Sequence, residues 1–183
     1  MQSLAYSIPA AYLLTGPLNV PALTRALETL VARHESLRTT FFEINGEPRQ
    51  RIHAGLAFRV EVVDLSGEAD PETRARALAE EHASRAFDLS QGPLVRCSLL
   101  VLAPTRHVLL VNLHHIICDA ESMSIMARET WSLYEANACG ASDPLIPLAI
   151  QYKDFAAWQN AAVETETGAA DCEYWKTKLA GLI

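Results

Sequence analysis

Two long apolar runs separated by one short connection limit most strongly what this chain can fold into. Leu94 to Leu102 and His107 to His114 are built largely from Leu and Val, and Ala103-Pro104-Thr105-Arg106 joins them. Apolar runs of this length bounded by a turn read as buried strands. The two therefore form a hairpin. Its second arm, through Val108-Leu109-Leu110-Val111-Asn112-Leu113, delivers His114-His115-Ile116-Ile117-Cys118-Asp119-Ala120. Beyond Asp119 the pattern turns helical, with Met123, Met126, Ala127, Thr130 and Tyr134 on one face. Two adjacent histidines and an aspartate thus stand where a strand ends and a helix begins.

The remaining segments supply helices to pack against such a hairpin. Asn19-Val20-Pro21 opens a helix with a capping residue and a proline in its first turn. Leu23, Ala26, Leu27, Leu30 and Val31 then recur at helical spacing, and the helix ends near Glu35. Thr39 to Ile44 and Arg49 to Ala54 flank Asn45-Gly46, a strong hairpin-turn signal, and Phe58 to Val63 reads as a further strand. Asp70-Pro71 starts a second helix that runs to about Phe87, and the helix after Asp119 runs to about Asn137. Cys139 to Pro144 is a loop, and two helical segments follow, around Tyr152 to Val163 and Ala170 to Ala180. Helices and strands are mixed in order, which implies an α/β two-layer sandwich: a sheet with helices packed on it.

With 183 residues, half of them hydrophobic, the chain is long enough for one domain with a core. A formal net charge of −7 argues against nucleic acid as a partner. No run is apolar and long enough to span a membrane, and the N-terminus lacks the basic flank of a signal peptide. Cys97, Cys118, Cys139 and Cys172 show no Cys-x-x-Cys spacing and read as reduced thiols, so a cytoplasmic location is the expectation.

A loop at a strand end presents side chains to a cleft while the scaffold holds them still. Imidazole, with an ordinary pKa near ~6.5, exchanges protons at neutral pH. His114, His115 and Asp119 are therefore candidates for acid/base or substrate-positioning work. The same residues admit a structural reading. Neighbouring strand side chains face opposite sides, so only one histidine faces a given cleft and the other packs. Asp119 is a good helix N-cap. Spacing alone does not separate these readings. It does disfavour a metal site, because adjacent histidines converge poorly on one ion and no third ligand stands nearby.

Three motifs together carry a resemblance. His114-His115-Ile116-Ile117-Cys118-Asp119-Ala120 resembles the His-His-x-x-x-Asp-Gly signature of condensation domains of nonribosomal peptide synthetases. Arg33-His34-Glu35-Ser36-Leu37-Arg38-Thr39-Thr40-Phe41 matches that family's Arg-His-Glu-x-Leu-Arg-Thr-x-Phe motif throughout. Tyr152-Lys153-Asp154-Phe155-Ala156-Ala157-Trp158-Gln159 resembles its Tyr-x-Asp-Tyr/Phe-x-x-Trp-Gln motif. The similarity runs from about Tyr6 to the C-terminus. Ala120 replaces the usual glycine and Glu121 the common tryptophan; alanine adds only a methyl group, so the geometry is expected to survive with a slightly narrower channel.

The resemblance implies a chloramphenicol-acetyltransferase-like lobe with a mixed sheet and packed helices. Residues 1–183 would form the N-terminal lobe of a V whose C-terminal lobe is absent, with the active site in the tunnel between the lobes. It implies that His115 faces the tunnel beside the attacking amine, as general base, worth ~10²–10⁴-fold, or by positioning; positioning with some proton acceptance is favoured. His114 would turn away and fix the turn by packing. Asp119 would brace the loop against an arginine, with Arg38 the first choice and Arg33 the second. Cys118 is expected as a small apolar filler, and Cys118, Ala120, Glu121 and Ser122 as channel lining. His34 and Glu35 are expected to be solvated or structural, and Trp158 and Trp175 to be core aromatics.

The implied reaction is amide-bond formation between a donor aminoacyl or peptidyl thioester and an aminoacyl acceptor. Both ride on phosphopantetheine arms of peptidyl carrier proteins, and no cofactor or metal is bound directly. The isolated lobe is expected to be inactive and prone to self-association. Cyclization relatives carry aspartate where His114 stands, and epimerization relatives usually show Ser-Trp where this chain has Ser122-Met123. The alternatives are an ester-forming relative and a non-catalytic module that docks a carrier protein or tailoring enzyme.

Overall fold

A computed structural model of the chain describes residues 4–181. It divides into two compact units, Met1–Pro147 and Leu148–Ile183. The first contains β1 (Ser7–Thr15), α1 (Val20–Arg33), β2 (Thr39–Ile44), β3 (Glu47–Ile52), β4 (Val60–Asp64), α2 (Pro71–Ser84), β5 (Val95–Ala103), β6 (Arg106–His114) and α3 (Ala120–Cys139). The second contains α4 (Tyr152–Val163) and α5 (Glu166–Leu179).

The apolar hairpin is β5 and β6, and it forms the middle of a four-stranded sheet ordered β1-β6-β5-β4. β1 and β5 run antiparallel to β6, while β4 runs parallel to β5, so the sheet is mixed. Successive residues of a strand face opposite sides, and both sides of this hairpin are apolar. Leu99, Leu109 and Leu113 pack with Leu23, Leu27 and Leu30 of α1 and Leu133 of α3 in the main core. Leu100, Leu102 and Leu110 pack with Ala75 of α2, joined by the partly buried Leu78 and Ala79, in a second cluster. The expected sandwich of a mixed sheet with packed helices is therefore present, and α2 adds cover on the far side. Leu23 and Leu113 are fully buried; truncating either to alanine would cost about 2–5 kcal/mol.

Local signals act where the sequence places them. The side chain of Asn19 accepts from the Ala22 N–H at the start of α1, and that of Asp70 from the Thr73 N–H at the start of α2. Asn45 and Gly46 both take positive φ, 53° and 82°, the pair of left-handed residues that a tight β2–β3 turn needs. β1 has no counterpart among the strands the sequence predicts. Pro9 interrupts its donors, which an edge strand tolerates because only one of its sides joins the ladder.

In the second unit, the last helix begins earlier than expected, at Glu166, capped by Thr165. Trp158 and Trp175 are 66% and 58% exposed, so neither is the core aromatic that its residue type suggests. The reason is that this unit buries none of its described side chains. No described helix is long and apolar enough to cross a membrane.

Candidate active site

β6 is hydrogen-bonded on both sides, and its end is tied to both neighbours. The His114 N–H donates to Leu94 O (2.9 Å) on the β5 side, and the His115 N–H to Tyr6 O (2.7 Å) on the β1 side. The strand stops at His114, and His115–Ile117 form a single 3₁₀ turn. The two histidines are thus not distributed by strand alternation, contrary to expectation, because His115 has already left the strand. Their environments still differ. His114 is half-buried between Tyr6 and Phe87, with ring centres 6.1 and 6.2 Å away. Its Nδ1 accepts the Ile116 N–H at 3.1 Å, which requires a ring without a proton on that nitrogen. Burial, and then the neighbouring His115, hold its pKa below the ordinary imidazole value. The His115 side chain is exposed.

Ile117 and Cys118 turn back into the core. The Cys118 thiol faces His114 O at 3.7 Å, and burial, with the nearby Asp119 carboxylate, pushes its pKa up to about 11. It is an inert filler at neutral pH. Asp119 caps α3 in a reciprocal box with Ser122. Its Oδ1 accepts from the Ser122 N–H (2.8 Å) and hydroxyl (2.6 Å), and Ser122 Oγ accepts the Asp119 N–H (3.2 Å). The Ser122 hydrogen bonds hold the Asp119 carboxyl below the usual carboxylate range. Ala120 and Glu121, in the first turn of α3, are exposed, while the Ser122 hydroxyl is engaged in the cap.

The expected Asp119–Arg38 bridge is not formed. Arg38 lies in the turn before β2, where its guanidinium donates to His53 O (2.5 Å) and Ala32 O (3.3 Å) and stands 3.7 Å from Glu35. The carboxylate of Asp119 is already occupied by its own helix terminus. Arg33, the second choice, donates to Glu129 (3.2 Å) and to Ile146 O (2.8 Å). His34 Nε2 meets the same Glu129 oxygen at 2.6 Å. Glu129 is 7% exposed on α3, so the Arg-His pair of the matched motif braces the end of α1 against the helix that follows the histidine turn.

Sequence reasoning missed Tyr6, whose carbonyl fixes His115, along with Phe87 and Glu129. Glu129 was legible in principle, as an acid one helical turn before the apolar Leu133. Among the described residues no group of three or more His, Cys, Asp or Glu is placed to hold a metal ion.

Known proteins resemble this chain in sequence and fold. The family model of the condensation domain matches residues 1–183. The chain is 44% identical over 181 residues to a linear gramicidin synthase polypeptide of Brevibacillus parabrevis, covering 98% of this chain and 2% of that protein. It is 40% identical over 176 residues to surfactin synthase subunit 1 of Bacillus subtilis (strain 168), covering 96% of this chain and 4% of that one. The starter condensation domain of rhizomide synthetase superposes with a TM-score of 0.89 at 24% identity, over 98% of this chain and 43% of that chain, a likeness of fold. A structure of the X-domain in complex with OxyB from teicoplanin biosynthesis matches with a TM-score of 0.83 at 33% identity, over 97% of this chain and 39% of that chain. The chain spans a small share of these synthetases and under half of the solved chains. With its histidine turn, its mixed sheet and a family match over all its residues, this chain belongs to the condensation-domain family.

Proposed function

We propose that this chain supplies the histidine-bearing lobe of a condensation site that forms amide bonds in nonribosomal peptide synthesis. The observation that carries the reading is the exposed His115 ring on a turn whose main chain is tied to Tyr6 O and Leu94 O on either side. In the reaction the acceptor amine attacks the carbonyl carbon of the donor thioester. The C–N bond forms, the C–S bond breaks, and the donor phosphopantetheine arm leaves as its thiol. The nitrogen gives up one proton, which His115 accepts or hands to the departing sulfur. An acyl group already activated as a thioester needs modest help, so orientation of the amine by His115 is its main part. His114, held neutral, and Asp119, bound into its helix cap, shape the turn. The substrates are carried by donor and acceptor peptidyl carrier proteins, which are the partners of the site, and no directly bound cofactor is required.

A tunnel needs a second wall, which the C-terminal lobe of the same domain would provide. Alone, the chain is therefore expected to be inactive and to self-associate through exposed aromatics such as Trp158 and Trp175. Analytical ultracentrifugation showing a monomer at all concentrations would contradict the second expectation. The reaction itself is tested in a reconstituted two-lobe condensation domain that carries this chain as its N-terminal lobe, with loaded carriers, product being followed by mass spectrometry. His115→Ala should abolish most turnover, whereas unchanged turnover would overturn the assignment. A docking module without chemistry is the second reading, favoured by Ala120 and Glu121 in the matched motif and by the solved relative that holds OxyB. Carrier binding without product from the unchanged protein would establish it.

A further inference from the structure

A chain of contacts outside the matched motifs ends on the histidine turn. Arg96 of β5 is half-buried, and its guanidinium donates to two successive main-chain carbonyls beyond α2, Arg85 O and Ala86 O, each at 2.6 Å. The same guanidinium lies 3.7 Å from the centre of the Phe87 ring. Phe87 is 6% exposed and meets the His114 ring edge-on, at an interplanar angle of 89°. A planar fork matched to two carbonyls holds a backbone in place as a point charge does not. A partly desolvated cation over an aromatic face adds attraction at the same spot. Phe87 is thereby fixed by Arg96 before it touches His114. Its position is not left to a loop.

We propose that Arg96 and Phe87 are positioning residues for the histidine turn: Arg96 locks residues 85–87, and Phe87 wedges the His114 ring so that Nδ1 stays aligned as acceptor for the Ile116 N–H. That bond closes the 3₁₀ turn containing His115, and Tyr6, on the other flank of His114, accepts the His115 N–H. The aim of the His115 ring therefore depends on two residues that lie in none of the three matched motifs. Arg96 gives one N–H of each terminal nitrogen to Arg85 O and Ala86 O, which makes its contact with the chain a structural one. The proposal rests on the reading of the turn as a condensation site, although what it says about the geometry of the turn does not.

The test uses a reconstituted two-lobe condensation domain that carries this chain, with loaded donor and acceptor carriers, and three variants: Phe87→Leu, Arg96→Lys and Arg96→Ala. Misplacing a positioned group by about 1 Å costs up to ~100-fold. Phe87→Leu and Arg96→Lys should therefore lower single-turnover kcat by about tenfold to a hundredfold. KM for each carrier should stay within about twofold, since neither residue has a part in carrier binding. Added methylguanidinium should restore part of the Arg96→Ala loss and none of the Phe87→Leu loss. Histidine ¹⁵N spectra of the same proteins should show His114 Nδ1 as a hydrogen-bond acceptor in the unchanged protein and a mixture of tautomers in Phe87→Leu. Unchanged kcat with an unchanged His114 spectrum in Phe87→Leu would overturn the proposal. So would parallel changes of kcat and KM with the His114 spectrum intact. If Phe87→Leu does not fold, Arg96→Lys decides by the same readouts. No product from the unchanged protein would instead refute the reaction class, and the His114 spectra would still decide whether these two residues hold the turn.

Discussion

Replacing Glu129 by alanine should destabilise the first unit by about 2–3 kcal/mol. Removing one partner of a fully buried ion pair costs ~3–5 kcal/mol, because the charge left behind is desolvated and unpaired. Here the side chains of Arg33, His34 and Glu129 are 14%, 19% and 10% exposed, so water reaches part of each. Arg33 also keeps its bond to Ile146 O at 2.8 Å. These two facts place the loss below the fully buried range, at ~2–3 kcal/mol. For a domain of this size each kcal/mol moves Tm by ~2–4 °C, giving a drop of ~4–12 °C. Urea denaturation should show a lower midpoint at constant slope. Glu129→Gln keeps the volume and one acceptor oxygen and should lose roughly half as much. In a double-mutant cycle, His34→Ala and Glu129→Ala should be clearly non-additive, since one oxygen serves both contacts. An alanine variant within ~0.5 kcal/mol of the parent, the range of ordinary surface changes, would refute the reasoning and leave apolar packing and the Asn137 bond to Ala22 O to seat α3 on α1.

Three further outcomes are expected. His82 and His114 are both held below the ordinary imidazole range, mainly by burial, with Arg96 next for His82 and His115 next for His114. Their unfolded forms bind the proton more readily, so the stability they contribute is complete above about pH 6.5 and is lost as pH falls through the folded pKa values; urea midpoints measured from pH 8 to 5 should decline, and less steeply in His82→Gln. Asp119→Ala and Arg38→Ala should have additive effects on melting, because the two side chains bind different partners. The Asp119 cap itself should weaken only as pH falls below about 4, since its folded pKa is depressed. Finally, a thiol-specific disulfide reagent should label Cys139 and Cys172 in the native chain and reach Cys97 and Cys118 only after unfolding. The latter two are buried, with pKa values pushed up to about 12 and about 11. Labelling of all four at equal rates would count against the packing described.

Signals confined to a few residues are legible in the sequence. The caps at Asn19, Asp70 and Asp119, the Asn45-Gly46 turn and the stripe from Leu23 to Val31 each act through neighbours within one or a few turns, and each appears where the sequence puts it. The apolar hairpin is legible because strands apolar along their whole length need cover on both faces. What escapes depends on partners far apart in sequence. β1 carries Pro9 and a weak apolar alternation, and its strand character comes from β6, which no local pattern reveals. The expectation that Arg38 neutralises Asp119 has the same weakness: sequence order says nothing about which carbonyls a guanidinium will find first. The sequence places the histidine turn correctly, but the support of that turn by Tyr6 and Phe87, and the seating of α3 by Glu129, are long-range.

The pairing of β1 with β6 has a consequence for how the site comes into being. Ser7 aligns with His114 and Thr15 with Arg106, and Tyr6 O holds His115. β1 therefore joins the sheet only after β6 has been made. Closing a loop of roughly a hundred residues costs ~4 kcal/mol in chain entropy, and contacts of such separation slow folding. The β5–β6 hairpin and the α3 helix that follows it can form earlier, on local contacts. The histidine turn then acquires its last anchor only when the N-terminal segment returns to the sheet edge. During translation this puts the finished turn among the late events in the folding of the first unit. It also sets a rule for grafting this chain into related condensation domains: a junction placed between Tyr6 and Thr15 would exchange the strand that anchors the turn, even though every residue of the histidine motif were kept.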